Sequence, residues 1–189
     1  SYPMTRPAAL RLGVPARGML AHHTLPQLMA PDRLVPGRHQ DVDVLLAWGR
    51  RPSALRVERL AHRWDLPVWH LEDGLLRSVA KGRDHPPLAL LVDDLGVHFD
   101  ATVPSRIEQL IAAPISAVEV DRARALQRLW REQRLSKVNP PVEAEAPQEP
   151  YVLVVDQSAG DRSIALGLAD ASCFQRMLQA ALADHPDCT

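Results

Sequence analysis

Cysteine is scarce in this sequence of 189 residues, and its charged side chains almost cancel. Only Cys173 and Cys188 are present, with no partners at metal-ligand spacing, which argues against a zinc site or a disulfide framework. The 22 Lys and Arg residues are matched by 23 Asp and Glu residues, so no overall field draws the chain to nucleic acid or anionic lipid. We therefore expect no nucleic-acid partner, and an anionic ligand must be bound by a local group of residues.

Long apolar runs and glycine-rich nucleotide motifs are also missing. Six prolines interrupt the first forty residues, so no stretch there resembles a signal peptide or a membrane span. The loop DQSAGD at 156–161 matches neither the G-x-x-x-x-G-K-S/T phosphate loop nor the G-x-G-x-x-G dinucleotide motif, and no G-x-S-x-G elbow occurs. The sequence therefore predicts a cytoplasmic protein and supports neither ATPase, dehydrogenase nor serine hydrolase activity.

The eight histidines do not form a ligand pattern. Only His22 and His23 are adjacent, and neighbouring side chains on a helix diverge by about 100°. We interpret them as surface or loop residues and not as metal ligands.

Residues 41–71 alternate apolar runs with a helical pattern. DVDVLLAWGR at 41–50 and LPVWHL at 66–71 predict strands, and a proline suited to a first turn opens an amphipathic helix at 52–64. Such a strand, helix, strand unit pairs its strands in parallel. The residues expected on the inner face of the helix are Leu55, Leu60 and Trp64.

The next stretch continues the same domain. Residues 87–100 predict a strand, a turn at 93–96 and a short return strand, which would form an edge hairpin. Two helices are expected after it, at about 104–112 and 116–135.

A change of composition follows at residues 136–150, where four prolines stand among acidic and small residues, as in an extended linker. Beyond this boundary, YVLVV at 151–155 predicts a strand, and a helix is expected at about 172–183 with Ser172 as its N-cap. This segment is either an extra strand on the first sheet or the start of a truncated second domain.

Two polar loops follow predicted strands, where ligands of open α/β sheets bind. Glu72, Asp73 and Gly74 come after the strand at 66–71, and residues 157–163 come after the strand at 151–155. Because acidic residues are common in turns, spacing alone favours a structural role for both loops.

Five motifs occur in an order that changes this interpretation: WGRRPS at 48–53, LEDGLLRS at 71–78, PPLALLVDDLGVHFDA at 86–101, SKVN at 136–139 and DQSAGDRSI at 156–164. Together they make the chain resemble the capsular polysaccharide biosynthesis family of retaining β-Kdo glycosyltransferases. The resemblance runs from about residue 10 to the C-terminus. The sequence departs from the family at several aromatic or Thr positions, where it has Leu75, His98, Phe99, Val138 and Ser158.

The resemblance implies a GT-B enzyme, in which two Rossmann-like domains face each other across a cleft. Residues 1–135 would form the acceptor-side domain, 136–150 the linker, and 151–189 the start of a truncated donor-side domain. The donor would be CMP-Kdo, and neither a metal nor another cofactor is expected.

The same resemblance assigns candidate site residues. Asp161 is the candidate nucleophile of a double displacement, and Glu72 the candidate base for the acceptor hydroxyl. We expect these two carboxylates on opposite walls of one cleft. The neighbouring residues are expected to shape the site or bind the sugar: Asp73 and Gly74 in the turn, Arg77 and Ser78 at an acceptor carboxylate, and Gln157 and Ser163 beside the nucleophile.

Some alternatives stay open. Arg77 and Ser78 are equally consistent with an exposed cation and a turn residue, and Lys137 and Asn139 with a hinge or a ligand contact. The family implies a glycolipid acceptor, capsule-assembly partners and a peripheral position at the cytoplasmic face of the inner membrane. The competing hypotheses are a truncated, non-catalytic remnant, an accessory assembly or export protein, and a relative that acts first on the lipid.

Overall fold

The two strands predicted at 41–50 and 66–71 lie side by side and parallel in a five-stranded sheet. The computed structural model describes residues 9–80, 84–139, 145 and 147–188, so residues 140–144 and 146 of the predicted linker lie outside it. The strands are β1 (Arg11–Val14), β2 (Arg33–Pro36), β3 (Val44–Trp48), β4 (Val68–Asp73) and β5 (Leu90–Asp93). Their order in the sheet is β2-β1-β3-β4-β5, and only β5 is antiparallel to its neighbour.

The core lies on both faces of this sheet. All five residues of β3 are buried, as expected for a central parallel strand covered on each side. One face packs against the segment between β1 and β2, which contains a 3-10 turn (Arg17–Ala21) and helix α1 (Leu25–Met29). The other face packs against helix α2 (Pro52–Trp64). Alternation along β3 sends Leu46 to the first face and Leu45 to the second.

Helix α2 has the bounds that the sequence predicts, but its inner face is different. The buried residues are Ala54, Val57 and Ala61, whereas Leu55 is 42% exposed, so the prediction for Leu55 is wrong. Leu60 and Trp64 are partly buried and pack against the same cluster. Small side chains on the contact line let the helix axis approach the sheet closely, and this places the larger Leu55 outside.

The predicted edge hairpin does not form. β5 pairs with β4, with His70 opposite Asp93, and residues 97–100 are not in a strand. The buried carboxylate of Asp93 explains why the chain turns away. Its Oδ1 accepts the backbone N–H groups of Leu95 and Gly96, and its Oδ2 accepts that of Arg106 at the next helix.

Helices α3 (Arg106–Ala112) and α4 (Ala117–Glu132) follow near the predicted positions. Each begins with a capping box, formed by Ser105 with Glu108 and by Ser116 with Glu119. Neither helix has a buried residue, so both contribute less to the core than α2 does.

The chain divides into two compact units. The first unit contains Ser1–His98 and Pro104–Pro141, and the second contains Phe99–Val103 and Val142–Thr189. In the second unit the structure has helices α5 (Arg162–Leu166) and α6 (Ala171–Asp184).

Two predictions for the second unit are wrong. Residues 151–155 are not in a strand, because no other described segment pairs with their backbone. The N-cap of α6 is Asp170 and not Ser172. The Asp170 carboxylate accepts the backbone N–H groups of Ser172 and Cys173.

In the described part of the chain, none of the helices has the length and apolar content needed to cross a bilayer.

Candidate functional site

Glu72 lies near the carboxyl end of β4, at the edge where ligands of parallel sheets bind. It is opposite Leu91 of β5 and lines a cavity of about 150 Å³. The polar residues that share this cavity are His70, Asp93, His98 and Arg106. The sheet therefore holds the Glu72 carboxylate in a small, partly enclosed space with other titratable groups.

The surroundings of Glu72 raise its pKa above the ordinary value. Partial burial of the carboxyl is the main cause, and the nearby Asp73 carboxylate raises the pKa further. The backbone N–H of Asp73 and the cations Arg51 and Lys137 act in the opposite direction. A carboxylate with a raised pKa is a stronger base than a solvated one, which is what removal of a hydroxyl proton requires.

Asp73 and Arg77 form a partly buried ion pair four residues apart. The Arg77 Nε donates to the Asp73 Oδ2 at 3.0 Å, and the Arg77 Nη1 donates to the Ser78 hydroxyl and to the His85 carbonyl. These bonds use three of the five guanidinium N–H groups, so a ligand would have to contact Nη2. Asp73 Oδ1 is buried without a hydrogen-bond partner among the residues that the structure describes.

Gly74 and Ser78 have structural roles. A Cβ at Gly74 would lie 2.6 Å from the Cβ of Ala89 and 2.8 Å from its backbone, so the absent side chain allows close packing at this point. The Ser78 side chain is buried, and its hydroxyl donates to the Ala80 carbonyl at 2.7 Å while accepting from Arg77. This hydroxyl therefore holds the loop together, and its contact with an acceptor carboxylate stays a prediction.

The SKVN segment is fixed to this loop and does not behave as a free hinge. The Lys137 carbonyl accepts the backbone N–H of Arg77 at 2.8 Å, and Val138 forms a parallel bridge with Ser78. Asn139 donates from its backbone N–H to the Ser78 carbonyl, and its side-chain oxygen accepts from Ser136. Asn139 is thus structural, and Lys137 extends an exposed cation from a fixed backbone.

Of three histidines near this edge, His70 is buried in β4 and differs from the surface or loop position that the sequence suggested, whereas His22 and His98 lie in loops. His22 is half-buried and stacks on Trp48 with ring centroids 4.9 Å apart, and His70 is buried with Nδ1 3.1 Å from the Gly49 carbonyl oxygen. Burial lowers the pKa of His22, His70 and His98, so we expect neutral imidazoles at pH 7. Sequence spacing gave no signal for this group, because the fold brings distant loops together.

Asp161 belongs to the second unit and is the N-cap of α5. Its Oδ1 accepts the backbone N–H of Ser163 at 2.9 Å, and this hydrogen bond is the main cause of a pKa below the ordinary value. Gly160 precedes it with a φ of +80°, a conformation that glycine adopts without strain. Asp161 is therefore an exposed and ionised carboxylate at neutral pH.

A wide cavity of about 690 Å³ surrounds this loop within the second unit. Gln157 and Asp161 line it on the polar side, and Phe174 and Leu178 of α6 line it on the apolar side. Ser163 is not among the lining residues; its backbone N–H donates to Asp161, and its carbonyl accepts the backbone N–H of Gly167.

Glu72 and Asp161 thus lie in different units. Their expected position on opposite walls of one cleft stays a prediction. Across residues 9–80, 84–139 and 147–188, no group of three or more His, Cys, Asp or Glu side chains could hold a metal ion.

A profile of the family described as "Capsule polysaccharide biosynthesis protein" matches two overlapping segments, residues 43–125 and 115–189. The chain belongs to this capsule polysaccharide biosynthesis family. The matched segments include all five motifs completely, and with them the polar loops at Glu72 and Asp161.

Curated relatives agree with this family. The capsule polysaccharide modification protein LipA of Neisseria meningitidis serogroup B is 35% identical over 183 residues, which are 92% of this chain and 26% of LipA. The lipopolysaccharide-processing protein LpsZ of Rhizobium meliloti is 39% identical over 140 residues, 69% of this chain and 32% of LpsZ. The chain therefore spans about a quarter to a third of the length of these relatives.

Solved structures of Kdo transferases have the same fold. The β-Kdo 2,4 transferase of Thermosulfurimonas dismutans KpsC superposes with a TM-score of 0.84 and 34% identity, over 94% of this chain and 58% of that one. The β-Kdo 2,7 transferase of the same KpsC gives a TM-score of 0.60 at 21% identity over the same shares, and it supports the fold alone. The predicted α/β, Rossmann-like fold of a GT-B glycosyltransferase is confirmed.

Proposed function

We propose that this member of the capsule polysaccharide biosynthesis family takes part in transferring Kdo from CMP-Kdo to a Kdo-bearing glycolipid, with retention at the anomeric carbon. The likeness to a named β-Kdo 2,4 transferase supports the reaction class. The observation that carries the proposal is Glu72, a half-buried carboxyl of raised pKa at the ligand-binding edge of the sheet.

In this proposal Asp161 performs the first step. Retention by two inversions needs a carboxylate that attacks the anomeric carbon while the cytidine phosphate leaves with the electrons of the bond it loses. Asp161 is suited to this role because the Ser163 N–H keeps it ionised and its loop is exposed. Small residues beside it, Ala159 and Gly160, leave space for a sugar ring.

Glu72 then performs the second step. It takes the proton of the acceptor hydroxyl while that oxygen attacks the anomeric carbon and displaces Asp161. The Arg51 and Lys137 side chains are close enough to act on its charge, and they offer cations for a carboxylate or phosphate of a bound substrate. The unpartnered Asp73 Oδ1 offers an acceptor for a sugar hydroxyl.

The remaining parts of the proposal follow from the family. We propose a peripheral position at the cytoplasmic face of the inner membrane, with a glycolipid acceptor, capsule-assembly partners and no metal or other cofactor. Because the chain spans 26% of LipA, the activity of the whole protein is part of this proposal.

The test measures Kdo transfer from CMP-Kdo to a Kdo-terminated glycolipid, with this chain and with a version extended to the length of its relatives. We expect Glu72→Gln and Asp161→Asn each to lower the rate at least about 100-fold. Asn still caps a helix, so Asp161→Asn removes the nucleophile and keeps α5.

The matched controls are Glu132→Gln at the exposed end of α4 and Asp170→Asn at the cap of α6, which we expect to keep full activity. Activity retained in both Glu72→Gln and Asp161→Asn would remove the site assignment. An extended chain that binds the glycolipid and transfers no sugar would favour the accessory role instead.

A further inference from the structure

Four arginines line a groove on the α2 side of the first unit. Together with Ser53, we call Arg38, Arg56, Arg59 and Arg63 the arginine groove, and the space between them has a volume of about 470 Å³. Pro15, Ala16, Val57 and Leu60 complete its walls, and none of the described residues that line it is acidic.

The arginine groove differs from the other arginine positions of this unit. Arg50, Arg77 and Arg106 each have a carboxylate partner within 3.0 Å. By contrast, the structure gives the four groove arginines neither an ion pair nor a side-chain hydrogen bond among the residues it describes. Like charges at helical spacing repel one another, so this concentration of cations lowers helix stability unless an anion neutralises it.

The groove also lies where the topology favours a ligand. β1 and β3 are neighbours in the sheet. After β1 the chain continues to β2 on one side of this pair, and after β3 it continues to β4 on the other side. The point where strand order reverses creates a crevice at the carboxyl ends of the strands. Pro15 directly follows β1, Arg38 comes two residues after β2, and Ser53 is in the first turn of α2.

The spacing of the cations indicates the shape of the ligand. Arg56, Arg59 and Arg63 lie along one face of α2, which rises by about 10 Å from the first to the last. Arg38 is not on α2 but on the segment after β2, and it lines another part of the same groove. A single small anion would meet only part of this row, whereas a chain with repeated charges can contact all of it.

We propose that the arginine groove binds an extended polyanion whose repeated groups are carboxylates, namely a segment of an acidic polysaccharide. Guanidinium groups match carboxylates in a two-pronged geometry, and the apolar walls at Pro15 and Leu60 suit the C–H faces of sugar rings. A concave groove with walls fits one flexible chain better than it fits the flat surface of a bilayer. This site does not include Glu72 or Asp161, so it stands independently of the proposed transfer reaction.

The experiment measures binding of a fluorescent oligogalacturonate of about ten sugars to the full chain by anisotropy at several salt concentrations. The variant Arg56→Gln, Arg59→Gln, Arg63→Gln should weaken binding about tenfold, and its affinity should depend less steeply on salt. The matched control is Arg124→Gln, Arg128→Gln, Arg131→Gln on α4, which removes the same charge at similar helical spacing outside the groove. We expect it to bind within about twofold of the unchanged protein.

Far-UV circular dichroism shows whether both variants are folded, and the single variant Arg59→Gln, with an expected loss of about threefold, replaces the triple variant if that one unfolds. Equal losses in the groove and control variants would overturn the proposal, because they would indicate a general charge effect. No binding of the oligogalacturonate would also overturn it. Inorganic phosphate and vesicles of phosphatidylcholine with phosphatidylglycerol are the comparison ligands, and groove-dependent binding to either that exceeds binding to the oligosaccharide would overturn the assigned ligand class.

Discussion

The two units of the chain differ sharply in how they bury apolar side chains. In the first unit both faces of the sheet are covered, and residues such as Leu45 and Leu46 are fully buried. In the described part of the second unit, helices α5 and α6 have no buried residue, and Leu153 and Leu182 are largely exposed. Amphipathic sequence is present in both, so the difference lies in whether a sheet is available to pack against.

The largest expected effect tests this difference in packing. Leu46→Ala deletes a fully buried side chain of the central strand, and we expect it to lower the free energy of unfolding by about 2–5 kcal/mol. The control Leu178→Ala in α6, where half of the side chain is exposed, should change it by less than about 0.5 kcal/mol. Urea unfolding followed by far-UV circular dichroism measures both, and similar values would contradict the comparison.

An intermediate effect is expected at two glycines, one in each unit. Gly74→Ala places a Cβ against the Ala89 backbone at 2.8 Å and should cost about 1–3 kcal/mol of stability through overpacking. Gly160→Ala meets no atom within 4 Å, and its cost comes from the φ of +80° alone, about 1 kcal/mol. Gly18→Ala, with open space and no positive φ, is the control and should be nearly neutral. A smaller loss at Gly74 than at Gly160 in thermal or urea unfolding would refute this order.

The smallest effect distinguishes the two candidate carboxylates by pH. The pKa of Glu72 is raised in the folded state, so the protonated carboxyl is favoured by folding. The free energy of unfolding therefore falls as pH rises from the ordinary Glu range through the raised value. Asp161 has a lowered pKa, so it contributes stability above the ordinary Asp range that is lost as pH falls through the lowered value.

Glu72→Gln should therefore raise the melting temperature at pH 7 and leave it unchanged near pH 4. Asp161→Ala should lower the melting temperature at pH 7 and have a smaller effect near pH 2. Differential scanning calorimetry across this range measures both, with Glu132→Gln as the control. If both variants changed the melting temperature in the same direction at pH 7, the opposite pKa shifts of Glu72 and Asp161 would be contradicted.

Sequence patterns predicted the elements whose signals are local. Pro52 and the amphipathic spacing after it fixed the bounds of α2, and the apolar runs located β3 and β4. Strands β1 and β2 were missed because each has four residues and lies among prolines, so neither offers a long alternating pattern. The strand predicted at 151–155 has the right composition, but a strand also needs a neighbour, and composition does not supply one.

The candidate site shows the same limit. Glu72, Asp73 and Gly74 were predicted because a polar loop directly follows an apolar run. His22, Arg51 and Lys137 are far apart in the chain, and only the parallel topology and the docking of SKVN bring them to the same edge. The hydrogen bonds of Ser78 were not predictable for a related reason, since they depend on the position of Ala80 and Arg77.

The route of the chain affects how this protein can be dissected. Phe99–Val103 belongs to the second unit although it comes before α3 and α4, and its Ala101 N–H donates to the Leu166 carbonyl at the end of α5. The backbone thus passes from one unit to the other three times, after His98, after Val103 and after Pro141. Excision of residues 151–189 at the proline-rich boundary would therefore leave Phe99–Val103, which belong to the same unit, in the other fragment. The two parts are better studied by point substitution than by cutting.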